Sequence, residues 1–155
     1  MRSLAIIPAR GGSKRLKRKN IIDFYGSPII SYTIKAALKS KCFDRVVIST
    51  DDQEISEISS KYHDDIVIRS KNLATDKSTV NEVCNNFLQN EFKNKIKYDF
   101  LTVLYPTAPL RTSIDIKNVL NKLIIENFSS SLAVTTFSLP VHQALIIKNG
   151  NTKKY

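Results

Sequence analysis

Short runs of residues that are apolar from end to end constrain this chain most. Leu4 to Ile7, Arg45 to Ser49, Ile66 to Ile68, Phe100 to Leu104 and Leu132 to Thr136 are strand candidates, and most do not alternate between apolar and polar positions. A strand with one wet face alternates with period two, whereas one that is apolar on both faces has to be covered on both. That requirement is met by a parallel sheet between two layers of helices. The segments between the runs supply the helices. Ser27 and Pro28 read as an N-cap and first-turn proline for a helix reaching about Lys39, with Ile30, Ile34 and Leu38 on one face. Asp51 is placed to cap the next, with Glu54 three residues on and Ile55 and Ile58 pointing inward. Thr79 with Glu82, and Thr112 with Asp115, have the spacing of capping boxes ahead of helical apolar periods. The β/α alternation predicts a doubly wound, mostly parallel α/β sheet flanked by helices in three αβα layers, with right-handed crossovers. Residues 1–155 read as a single domain.

The first strand runs into Pro8-Ala9-Arg10-Gly11-Gly12-Ser13-Lys14, and Arg15, Lys17, Arg18 and Lys19 follow. Glycines without a Cβ let backbone take unusual φ/ψ values and bring N–H groups against an anion, so the loop reads as a polyphosphate grip. A basic nucleic-acid arm is the competing reading. The apolar strand leading into the loop argues against a disordered arm. No GxxxxGK[ST] or GxGxxG spacing is present, which disfavours a P-loop kinase and a dinucleotide-binding oxidoreductase.

Composition narrows the partners without choosing one. A formal net charge of +10 favours anionic ligands: nucleotides, acidic sugars or nucleic acid. Cys42 and Cys84 stand far apart with no CxxC or clustered histidine, so neither a zinc site nor a disulfide is indicated. His63, beside Asp64 and Asp65, reads as a surface residue; His142 has no partner to name. No apolar run approaches the roughly 20 residues of a membrane span, and a cytoplasmic location is the expectation.

Open sheets of this kind bind ligands beyond the carboxyl ends of the strands. Four such ends carry Pro8 to Lys14 with Lys19-Asn20, Val47 to Asp51, Arg69 with Leu73-Ala74-Thr75-Asp76, and Pro106 to Arg111. In this order and spacing they resemble the sialic-acid-type (acylneuraminate) cytidylyltransferases, and the resemblance runs through all 155 residues. Tyr105-Pro106-Thr107-Ala108-Pro109-Leu110-Arg111 and the Phe137 to Leu145 segment are nearest to the family's pseudaminic acid branch. Lys17 replaces that branch's usual proline.

The resemblance implies a Rossmann-like nucleotidyltransferase fold and transfer of CMP from CTP to an acidic nine-carbon sugar, with no nucleic acid or membrane as partner. The N-acetylneuraminate and legionaminate branches, or a non-catalytic nucleotide- or nucleic-acid-binding fragment, are the alternatives. Arg10, Lys14 and Lys19 would hold the triphosphate with the backbone of Ala9, Gly11, Gly12 and Ser13. Asn20, Arg69, Asp76 and Thr79 would form the base and ribose pocket. Tyr105, Thr107 and Arg111 would meet the sugar, although Arg111 could equally support its loop and Tyr105 could simply pack. Mg²⁺ is implied, on an Asp-x-Asp segment that these 155 residues do not include, as is a homodimer in the full-length form. The chain therefore reads as an N-terminal nucleotide-binding portion, with Asp51 and Asp52 as helix caps rather than metal ligands.

Overall fold

A computed structural model describes residues 1–134 and the backbone of 145–148 and 151–154. The strands β1 (Ser3–Pro8), β4 (Arg45–Thr50), β5 (Ile66–Ile68) and β6 (Phe100–Val103) form a parallel sheet in the order β5-β4-β1-β6. Between them come helices α1 (Ile29–Ser40), α2 (Gln53–Ser60) and α3 (Val80–Lys93), and α4 (Ser113–Ile125) follows β6. Residues 145–148 and 151–154 form an antiparallel hairpin, β7 (Leu145–Lys148) and β8 (Asn151–Lys154).

The run Leu4 to Ile7 is apolar throughout because both faces of the sheet are covered. Ala5 and Ile7 point into a core shared with Ile30 and Ile34 of α1, Ile55 of α2 and Ile116 of α4. Leu4 and Ile6 point the other way, against Cys84 and Phe87 of α3. Burying an isoleucine fully contributes about 1.5–3 kcal/mol, so a polar residue at Ile6 or Ile7 would be as costly as one in any core. Both cysteines are free, Cys84 buried and Cys42 half-buried.

Four expectations need correction. Ser27 does not cap α1: Ser27–Pro28 is β3, paired with β2 (Asp23–Phe24), and Pro28 takes the N-cap position with no side-chain bond. Tyr25 (φ 49°) and Gly26 (φ 79°) make the left-handed turn that closes this hairpin, and the ladder prevails over the local cap signal. In α2 the cap is Asp52, whose Oδ1 accepts from the Ile55 amide at 3.0 Å, while Asp51 is drawn elsewhere. Residues 132–134 carry no strand, with Leu132 and Val134 exposed and no described strand beside them; 135–136 lie outside the described residues, as do Phe137 to Ala144, including His142. Both capping boxes form as read, Thr79 with Glu82 and Thr112 with Asp115. His63 is not simply a surface residue, because its Nε2 donates to the Val46 carbonyl at 2.7 Å.

Candidate functional site

The chain leaves β1 toward β4 on one side and later returns to place β6 on the other, so the carboxyl ends of β1 and β6 flank a crevice. That crevice is a cleft of about 200 Å³. Its walls carry Arg10, Lys19 and Asn20 from the loop after β1, and Arg69, Asp76 and Thr79 from the turn after β5. Tyr105 and Thr107 come from the loop after β6. The structure thus brings together eight of the site residues read from sequence, drawn from three strand ends. Leu73, Thr75, Ser78 and Val83 also line it and were not singled out as individual site residues.

Lys14, 84% exposed, does not line the cleft but pairs with Asp76, which does: its Nζ lies 2.6 Å from that carboxylate, and Arg10 Nη2 lies 2.9 Å from it. Lys14 and Arg10 together hold the Asp76 carboxyl below the usual carboxylate range. Arg69 has a side chain only 6% exposed, which pushes its guanidinium down from its ordinary value. Asp51 at 3.6 Å opposes that shift, and Arg69 Nε has no partner among the described residues.

The glycine loop works differently from the expectation. Neither Gly11 nor Gly12 has a positive φ. Gly11 is required by close approach instead: a Cβ there would fall 2.8 Å from both Cβ and Cγ of Asp52, and closer still to Oδ2, whereas a Cβ on Gly12 would meet nothing. Several of the loop's amides are also committed within the protein. Ala9 donates to Ser49 O at 2.9 Å, Gly11 to Asp51 Oδ1 at 3.2 Å and Ser13 to Gly11 O at 2.9 Å.

Of the two residues read from sequence as helix caps, Asp52 caps α2 and Asp51 does not. Asp51 joins the loop amide to Arg69, and Asp52 receives Arg18 in a fork of 2.5 and 2.9 Å while capping α2. Arg18 also pairs with Glu54, and it adopts φ 56°, a left-handed backbone that a non-glycine residue takes only when its surroundings hold it there. The available signal was an acidic pair at the end of β4, the strand beside β1, opposite the densest cation cluster in the sequence.

Two more side chains are committed to scaffolding. Asn20, 3% exposed, donates from Nδ2 to Arg10 O at 2.8 Å, so it pins the loop, and among the described residues no donor meets its Oδ1. Arg111 does not line the cleft; its Nη2 donates to Thr33 Oγ1 and to Tyr105 O, both at 3.1 Å, and burial lowers its pKa. Its place favours the loop-supporting alternative.

A cation-bearing cleft at the carboxyl ends of a parallel sheet is the arrangement of a nucleotide-binding α/β protein. The Cytidylyltransferase family model matches residues 4–146, and the chain belongs to that family. It is 43% identical over 153 residues to a pseudaminic acid cytidylyltransferase of Campylobacter jejuni, a match covering 97% of this chain and 66% of that protein. It is 34% identical to an N-acylneuraminate cytidylyltransferase of Escherichia coli, across 88% of this chain and 32% of that one. The chain thus spans just under two thirds of the Campylobacter relative's length. Among solved structures, a CMP:2-keto-3-deoxy-manno-octonic acid synthetase complexed with CTP shares the fold, with a TM-score of 0.66 at 20% identity over 82% of this chain and 49% of its own. No helix among the described residues is long and apolar enough to cross a membrane.

Proposed function

We propose that the protein carrying this chain transfers CMP from CTP to an acidic nine-carbon sugar, pseudaminic acid foremost, and releases pyrophosphate. The observation that carries this reading is the convergence of Arg10, Lys19 and Arg69 on one cleft that also holds Asn20, in a chain 43% identical to a pseudaminic acid cytidylyltransferase. The higher identity to that relative than to the N-acylneuraminate enzyme supports the choice of sugar.

In this reading Arg10, Lys14 and Lys19 hold the triphosphate and meet the charge that builds on the departing pyrophosphate. A preorganised cation at such a point is worth roughly 3 kcal/mol, about 10²- to 10³-fold in rate. The Oδ1 of Asn20 suits a ligand donor such as the exocyclic amine of cytosine. Arg69, with Thr79 nearby, completes the base and ribose side. Tyr105 and Thr107 face the sugar, and Arg111 positions Tyr105 through its carbonyl. The sugar hydroxyl then attacks the α-phosphorus, and orientation with charge neutralisation supplies the rate.

Mg²⁺ would need one or two carboxylates with open coordination. The described residues do not fit it. No group of three or more candidate ligands exists among them, and the acidic residues nearest the cleft are engaged by cations: Asp51 by Arg69, Asp52 by Arg18, Asp76 by Arg10 and Lys14. These carboxylates serve the loop rather than a metal ion.

The test is pyrophosphate release by the full-length gene product with CTP, Mg²⁺ and pseudaminic acid, with size-exclusion chromatography to check for the homodimer. Release dependent on all three is expected. Faster release with N-acetylneuraminic or legionaminic acid refutes the choice of sugar, and none with any nonulosonic acid refutes the reaction.

A further inference from the structure

Two cations of the loop after β1, Arg10 and Lys14, already share an anion that belongs to the protein. Arg10 Nη2 and Lys14 Nζ lie 2.9 and 2.6 Å from opposite oxygens of Asp76, which is the spacing a phosphate would take between them. Asp76 sits in the turn between β5 and α3. Every hydrogen bond made by residues 71–78, among the described residues, closes within 70–78: Leu73 and Ala74 amides on Ser70 and Lys71 carbonyls, and the Ser78 hydroxyl on Asn72 O and Thr75. No residue from 70 to 79 is buried. The turn is therefore stapled to itself, and its polar fastening to the rest of the protein is the pair of bonds made by Asp76.

We propose that Asp76 is a displaceable latch: its carboxylate holds the phosphate position between Arg10 and Lys14, and an incoming polyphosphate replaces it and frees the 70–78 turn. A segment with few buried contacts opens at low cost, so exchanging one anion for a more highly charged one is enough to move it. The latch keeps the two cations paired and aimed at one point before the ligand arrives, and it discriminates against singly charged anions, which gain little by displacing a carboxylate. The inference rests on reading the loop as a polyphosphate grip.

The test is isothermal titration calorimetry with inorganic tripolyphosphate, on the wild-type protein and on Asp76→Asn and Asp76→Ala. Both variants are expected to bind about three- to tenfold tighter, because the partner competing for half-buried Arg10 and exposed Lys14 is gone. Hydrogen exchange of amides 71–78 should quicken in the wild type when tripolyphosphate is added, and should already be fast in the variants without it. Equal or weaker binding by the variants overturns the latch, as does exchange that the ligand does not change. Tripolyphosphate has neither base nor sugar, so a gain in the variants without any preference for CTP keeps the latch and counts against the proposed reaction. Tight CTP binding with no gain sinks the latch alone, and no binding by any of the three proteins overturns both.

Discussion

Gly11→Ala tests how the loop is seated. The added Cβ would lie 2.8 Å from Asp52 Cβ and Cγ. Carbon atoms pack comfortably at about 3.5–4.0 Å, so roughly 0.7 Å or more has to be found. Asp52 cannot readily yield it: Oδ1 accepts from Ile55 N at 3.0 Å and Arg18 Nη2 at 2.9 Å, and Oδ2 from Arg18 Nη1 at 2.5 Å. Forcing a methyl into a fitted contact costs about 1–3 kcal/mol, and the middle of that range is expected here. Urea unfolding measures it as a fall in midpoint at constant slope. Gly12→Ala is the control, since a Cβ there meets nothing, and it should cost under about 0.5 kcal/mol. The decisive comparison is a double-mutant cycle with Asp52→Gly, which removes the opposing atoms and costs the cap only a few tenths of a kcal/mol. In that background Gly11→Ala should cost less than about 0.5 kcal/mol. An equal cost in both backgrounds would show that contact with Asp52 is not why glycine is needed.

Arg45 meets Asp65 at 2.6 and 3.0 Å and Glu91 at 2.6 Å, and it lies over the Phe87 ring. Arg45→Met should destabilise by about 2–3 kcal/mol, because Glu91 is left nearly buried without its cation, and adding Glu91→Gln should recover part of that in the same urea assay. The Arg18 bond holds the Asp52 carboxyl below its ordinary value, near 3.9 in an unfolded chain. A depressed folded-state value stabilises above about pH 4, and the contribution is lost as the pH falls through that value. The stability gap between wild type and Arg18→Met should therefore narrow on acidification from about pH 6 to pH 3; a constant gap would remove the ion pair from the account.

The legible part of the fold was the part written in local signals. Thr79 with Glu82 and Thr112 with Asp115 announce helix starts from three residues away, and the unbroken apolar run at Leu4 to Ile7 announces burial on both faces. Signals of equal local strength misled where a tertiary partner competed. Ser27 entered a hairpin ladder, and Asp51 gave up capping for the Gly11 amide and Arg69. The cleft residues were legible because the motifs sit at strand ends, which a parallel sheet gathers on one edge. Two working roles were not: Asn20 as a pin on Arg10 depends on how the intervening loop folds back, and Asp76 as an internal anion depends on cations far away in the chain.

The sequence by itself determined the order of elements, the parallel sheet and the gathering of cations after the first strand, because hydrophobic period and capping act over a few residues. Only the tertiary structure decided how the loop is held. The β1–β4 register sets Pro8 beside Ser49, and that adjacency carries Gly11 onto Asp51 and Asp52, forty residues away. A contact of that range follows from strand alignment, and no local pattern of residue types encodes it.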